Sequence, residues 1–310
     1  MTDVNAYHKA GGVLRSAVRA PRVASFFSGI PDGARSVSAG SIHDDTVAQG
    51  LGFRGGTIAG SIHMDQFPAI LVEAFGQGWF ETGSLSLTFR NATISGEQVI
   101  AAVGVPASPT DSQVRAWIER TDGMLVGEGT ASVGRPAAQS HLLSADLRPT
   151  DPDRLRILGG VRPGVTRLEH RARADSASMA SRLARDPGLD PLGWYGEASP
   201  WGHPVACPSA LVRLLRNRGG EFGPHIAASV GLFGAIEIRQ LAGPVFLDRD
   251  YDVRGEVVAV GESPKTEYVW YDTRAYDDAG TAVAAMRMQL RWLKASSPLY
   301  TEGSKEQDGD

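Results

Sequence analysis

The sequence predicts an α+β chain built as two units in series, each an antiparallel sheet wrapped around one apolar helix. Three observations lead there. The chain has 310 residues, enough for two domains at roughly 150 residues each. His63, Pro68, Leu71 and Val72 recur at the same spacing as His203, Pro208, Leu211 and Val212, and Gly83, Leu85 and Leu87 recur as Gly234, Ile236 and Ile238. Near the C-terminus, Ala284, Met286, Met288, Leu290 and Trp292 alternate with Arg287, Gln289 and Arg291, the period of a sheet strand.

The elements follow in order. Scattered apolar residues over positions 4–28 (Val13, Leu14, Val18, Val23, Phe26, Phe27) suggest a helix broken at Pro21 and then a short strand. Gly29, Pro31, Asp32 and Gly33 crowd into a turn. In residues 60–75, Ile62, Phe67, Ile70, Leu71, Ala74 and Phe75 have helical spacing, with Pro68 inside, so a kink or a helix in two pieces is expected, stopped at Gly76. The stretch from Trp79 onward reads as a strand centred on Leu85, Leu87 and Phe89, a turn and a second strand. Further strands are expected over 99–105, 114–118 and 125–133, with Asp122-Gly123 as the turn before the last and Ala279-Gly280 as its later counterpart. Residues 167–186 read as a strand followed by a helix with a solvated charged face.

Prolines 136, 149, 152 and 163 mark the linker. The expected organisation is a first unit over 1–140 carrying the site, a linker over 141–165, a second, degenerate unit over 166–298 and a disordered acidic tail over 299–310.

Composition narrows the function classes. The net charge of −4 argues against nucleic-acid and anionic-membrane partners. No apolar run is long enough to span a bilayer, and the N-terminus has no signal pattern, so a cytoplasmic protein is expected. A single cysteine, Cys207, allows no internal disulfide and reads as a buried, inert thiol. No spacing suggests a metal site or a phosphate-cradling loop, and no cofactor is expected.

The sequence is organised around residues 38–75. A polar run, Ile42-His43-Asp44-Asp45, precedes a glycine-rich turn (Gly50, Gly52, Gly55, Gly56) and then an apolar helix opening at Gly60. The His43 loop, Ala48, Gly52-Phe53, Ile58, Gly60, Gly83, Phe89 and Gly96-Glu97 resemble the MaoC-like (R-specific enoyl-CoA) hydratase/dehydratase family. The resemblance implies a double hotdog fold and a hydro-lyase acting on a 2-enoyl or 3-hydroxyacyl thioester carried by CoA or a carrier protein. It implies that a histidine and an aspartate do acid–base work, in a loop written D-x-N-P-aliphatic-H, and that a backbone N–H at the helix start polarises the thioester carbonyl. His43 falls on the family's histidine and Ile42 on its aliphatic position. Ser41 and Gly40 replace Pro and Asn, and Ser38 stands where the aspartate would be.

The catalytic candidates are therefore His43, Asp44, Asp45 and Ser38, with Asp44 and Asp45 equally readable as caps of a short helix over 45–50. The substrate-binding candidates are Gly60 and Ser61 for the oxyanion, and His63 and Asp65 in the pocket. Gly60 is equally readable as a close-packing glycine. Asp65 or Glu73 would serve a hotdog thioesterase, the main alternative. A cyclase or isomerase of natural-product tailoring and a non-catalytic acyl-binding protein complete the set. His63 and His203 share a repeat position, which favours a structural role. One site per chain is expected, in a monomer or a homodimer.

Overall fold

The computed structural model describes residues 7–23, 41–108, 111–216 and 220–301. The strands are β1 (Tyr7–Ala10), β2 (Val13–Ser16), β3 (Gly83–Phe89), β4 (Val99–Gly104), β5 (Gln113–Arg120), β6 (Leu125–Val133), β7 (Arg167–Arg173), β8 (Gly231–Gln240), β9 (Asp250–Glu262), β10 (Thr266–Tyr276) and β11 (Ala282–Leu293). The helices are α1 (Asp45–Gly50), α2 (Gly60–Met64), α3 (Pro68–Phe75), α4 (Trp79–Thr82), α5 (Ser176–Arg185), α6 (Pro208–Leu215) and α7 (Pro298–Thr301).

All the strands join one antiparallel sheet in the order β1-β2-β4-β5-β6-β3-β8-β11-β10-β9-β7. Removing β1 leaves two mirrored runs, β2-β4-β5-β6-β3 and β8-β11-β10-β9-β7, so the second half repeats the first with its direction reversed. They meet where β3 pairs with β8, Leu85 opposite Ile238 and Leu87 opposite Ile236. These are the repeated residues themselves. Joining the halves there hides two strand edges that would otherwise be open to pairing with other chains.

Each half wraps its helix. α3 packs on β2, β4 and β6, and α6 packs on β7, β8, β10 and β11. Ile70 and Leu71 from α3, and Leu211, Val212, Leu214 and Leu215 from α6, enter one continuous core with the inward residues of both half-sheets. Pro68 sits at the first position of α3, where its missing N–H costs nothing, and so separates α3 from α2 as expected. Gly76, at φ 76°, ends the helix. α2 packs against α6, which brings the two halves together on the helical face as well.

Two expectations change. Residues 7–16 form a hairpin and not a helix, because Gly11 and Gly12, at φ 58° and 73°, supply the two left-handed residues of a tight turn. Trp79–Thr82 is a short helix and not the start of a strand. Its Trp79 is almost fully buried, and its ring lies so close to Gly83 that a Cβ there would meet it at 2.3 Å. Residues 141–165, expected as the linker, are packed. Leu155, Ile157, Leu158 and Val161 enter the core, and the fully buried Glu267 accepts hydrogen bonds from the backbone N–H groups of Arg156, Ile157 and Leu158 at 2.8–3.2 Å. Of the segment expected as a tail, residues 299–301 belong to the helix Pro298–Thr301, and the rest lies outside the described residues.

Candidate active site

The His43 loop is built from short-range hydrogen bonds. Asp44 caps α1 by accepting from the Val47 N–H at 3.1 Å. Asp45 accepts from the Gly56 N–H at 2.7 Å, and the Thr57 N–H donates to the Ile42 carbonyl at 3.0 Å. The glycine-rich turn thus folds back onto the loop. Gly56 has no room for a side chain: a Cβ would meet the His43 carbonyl oxygen at 2.3 Å. His43 Nδ1 lies 2.6 Å from the Thr57 carbonyl oxygen. A carbonyl only accepts, so this contact assigns the proton to Nδ1 and makes Nε2 the basic nitrogen of the neutral ring.

The second histidine lies behind it. The Ile58 N–H donates to the Thr93 carbonyl at 2.9 Å, and the Thr93 hydroxyl is 2.8 Å from His63 Nε2. His63 is buried, and burial pushes its pKa down to about 4. Burial also lowers the pKa of His43. The hydrogen bond to Thr57 opposes this, and the positive charge of Arg216 adds to the lowering.

These groups open onto a cavity of about 470 Å³ between the first unit's α2 and the second unit's β8 and β11. His43, Gly60 and His63 line it, with Phe89 and Thr93 on one side and Phe233 and Trp292 on the other. The β8–β11 register shifts between Gln289 and Leu290, next to the lining residues Leu290 and Arg291; such bulges redirect side chains at sites. Gly60 carries the edge of the Phe89 ring, which a Cβ would meet at 2.4 Å.

Several predicted residues are elsewhere. Asp44 and Asp45 do not line the cavity; their carboxylates are engaged in the loop's own hydrogen bonds. Ser61 is buried just behind the lining residue Gly60. Ser38 lies outside the described residues. Asp65 points away from the cavity into an ion pair with Arg182 at 2.9 Å and accepts from the Ser209 N–H and hydroxyl at 2.7 and 2.6 Å. Arg182 is correspondingly buried, against the solvated face expected for its helix. Glu73 accepts a hydrogen bond from the Tyr7 hydroxyl at 2.6 Å. In the second unit, Asp175 caps α5 and His170 Nε2 donates to the Leu214 carbonyl at 3.0 Å. Cys207 is buried, and burial raises its pKa to about 11.

Thr57 and Thr93, which hold the two histidines, carry no signal in the sequence. The cavity's charge was also not anticipated. Arg90, Arg216 and Arg291 line it, and no aspartate or glutamate does among the described residues.

The overall architecture has solved counterparts. A Chloroflexus aurantiacus protein described as a MaoC-domain dehydratase aligns over 92% of this chain and 96% of its own, at 13% identity and a TM-score of 0.54. A conserved Mycobacterium tuberculosis protein described as having a double hotdog fold aligns over 92% of this chain and 96% of its own, at 12% identity and a TM-score of 0.53. The fold is a double hotdog. No protein-family model and no curated protein sequence matches the chain. In double hotdog terms, the cavity lies between the units, with the histidine loop and α2 supplied by the first and the opposite wall by the second. Among the described residues, no helix is long and apolar enough to cross a membrane, and no group of three or more His, Cys, Asp or Glu side chains is placed to hold a metal ion.

Proposed function

We propose that the chain is a hydro-lyase that interconverts a 3-hydroxyacyl thioester and its 2-enoyl form, with His43 as the catalytic acid–base. The observation that carries this reading is a lining histidine whose Nδ1–H is fixed on the Thr57 carbonyl and whose proton affinity is lowered, so that Nε2 is a base at neutral pH. The residues resembling a MaoC-like loop, and the likeness of the fold to a protein described as a MaoC-domain dehydratase, support the reaction class.

In dehydration, Nε2 takes the proton from C2. The C–H electron pair forms the C2=C3 bond, the C3–O bond breaks, and the leaving hydroxyl takes the proton from Nε2 to depart as water. Hydration runs the same steps backwards. The thioester carbonyl, where negative charge develops, sits at the opening of α2 against the N–H groups of Gly60 and Ser61. Asp44 and Asp45 play no part in this scheme, so a single histidine carries the proton both ways. The acyl group arrives on CoA or a carrier protein.

The thioesterase alternative is weakened by the burial of Asp65 in its ion pair, away from the cavity. The deciding experiment is mass spectrometry of 2-enoyl and 3-hydroxyacyl-CoA panels after incubation with the protein and with His43→Ala. A gain or loss of water that vanishes in the variant is expected. Free CoA without water exchange would overturn the reading.

A further inference from the structure

We propose that the cavity selects acyl thioesters whose acyl chain carries its own carboxylate, held by Arg216 and Arg291. This rests on the acyl-thioester reading above and names the substrate class.

Three arginines line the cavity and no carboxylate does, among the described residues. Arg90 is answered by Glu128, 3.2 Å away. The other two are not answered in this way. Arg216, at the end of α6, lies over the Phe233 ring with its guanidinium carbon 5.5 Å from the ring centroid. Arg291, on β11, donates from Nε to the neutral Gln289 side chain at 2.7 Å. Both are partly withdrawn from water. Burial disfavours the charged form of Arg291; Tyr268 opposes this, and the nearby charge of Arg90 adds to it. An arginine does not relieve this by losing its proton. A bound anion relieves it, and a carboxylate suits the planar guanidinium fork, which binds it through two parallel hydrogen bonds.

The position of Arg216 favours an anion on the acyl chain. Arg216 and His43 line the same cavity, and the charge of Arg216 acts on the His43 ring, so a group held by Arg216 shares that cavity with the reacting carbons. The phosphates of a CoA or carrier-protein thioester are separated from those carbons by the length of the pantetheine arm.

The test uses N-acetylcysteamine thioesters, which carry no phosphate: the trans-2-pentenoyl thioester and its analogue with a carboxylate in place of the terminal methyl. A preference of about tenfold or more in kcat/KM for the carboxylated thioester is expected, the scale of one charge-assisted hydrogen bond. Arg216→Gln and Arg291→Gln should each bring the ratio towards one, chiefly through KM, with thermal melts verifying that both variants are folded. A wild-type ratio near one overturns the proposal, as does a ratio that neither variant changes. If the substitutions weaken only CoA thioesters and leave both cysteamine thioesters alone, the arginines hold a phosphate and the proposal fails. If the wild type processes neither thioester and no member of the CoA panel, the hydro-lyase reading fails separately. Calorimetry with glutarate and the uncharged pentanamide then decides the arginine assignment: glutarate binding that is lost in the variants supports it, and equal binding of the two compounds overturns it.

Discussion

The Asp65 carboxylate and the Arg182 guanidinium lie 2.9 Å apart with side chains only 3% and 7% exposed, and they join the end of α2 in the first unit to α5 in the second. The Ser209 N–H and hydroxyl, at the start of α6, complete the acceptor's partners. Removing one member of such a pair strands a buried charge, which costs about 3–5 kcal/mol. Asp65→Leu alone should therefore lower the denaturant midpoint strongly, and Asp65→Leu combined with Arg182→Met should recover much of the loss. Equal destabilisation by the single and double variants would refute this account of the pair.

His43 gives a pH prediction. The base works unprotonated, and its pKa is lowered by burial and by Arg216 against the Thr57 hydrogen bond. The acid limb of kcat/KM should therefore fall below the ordinary histidine value of about 6.5, so activity persists into mildly acidic solution. Arg216→Gln removes one lowering influence and should move that limb upward. A limb at or above the ordinary value in the wild type would contradict the described environment.

His63 affects stability with a definite sign. Its pKa is about 4 in the folded protein and about 6.5 in an unfolded chain, so the unfolded state binds more protons between those values. Stability should fall as pH drops through that window, by on the order of 3 kcal/mol at its acid end. His63→Gln, which does not titrate, should show a shallower loss than the wild type over the same range in chemical denaturation. Parallel curves for the two proteins would remove His63 from the account.

Gly60 is fixed by packing. A Cβ at this position would meet the Phe89 ring at 2.4 Å. Because the ring's outer edge can shift, Gly60→Ala should cost about 1–3 kcal/mol, the usual range for overpacking. Adding Phe89→Leu should return part of that stability, measured by thermal unfolding. Failure of the second substitution to help would show that the ring is not what excludes the side chain.

Much of the architecture was legible in the chain. The split at Pro68 follows from proline's missing N–H, and the strands of the second half of each unit follow from period-two alternation, as in Ala284 to Trp292. The weak repeat at Leu85/Leu87 and Ile236/Ile238 turned out to mark the seam where β3 pairs with β8. The N-terminal hairpin depends on Gly11-Gly12, and the scattered apolar residues around that turn carry neither a clear helical nor a clear strand period. Of the cavity lining, His43 and Gly60 were candidates from the resembling loop and helix start, and His63 from its place in the repeat. Arg216 and Arg291 were not, because an arginine at a helix end or on the polar side of a strand looks solvated until the fold brings another wall over it.

By itself the sequence determined the local elements, the doubling and the histidine loop, because these depend on spacing, turn chemistry and neighbours within a few residues. The tertiary structure decided which carboxylates face a ligand and which face each other. Asp65 finds Arg182 and Ser209 across a sequence separation of more than a hundred residues, as Asp44 and Asp45 find backbone N–H groups nearby. It also decided the charge of the cavity, since residues of the two units meet there only when β3 and β8 join. Burial then fixes the protonation of His43 and His63, a property of the assembled surroundings that no spacing in the chain encodes.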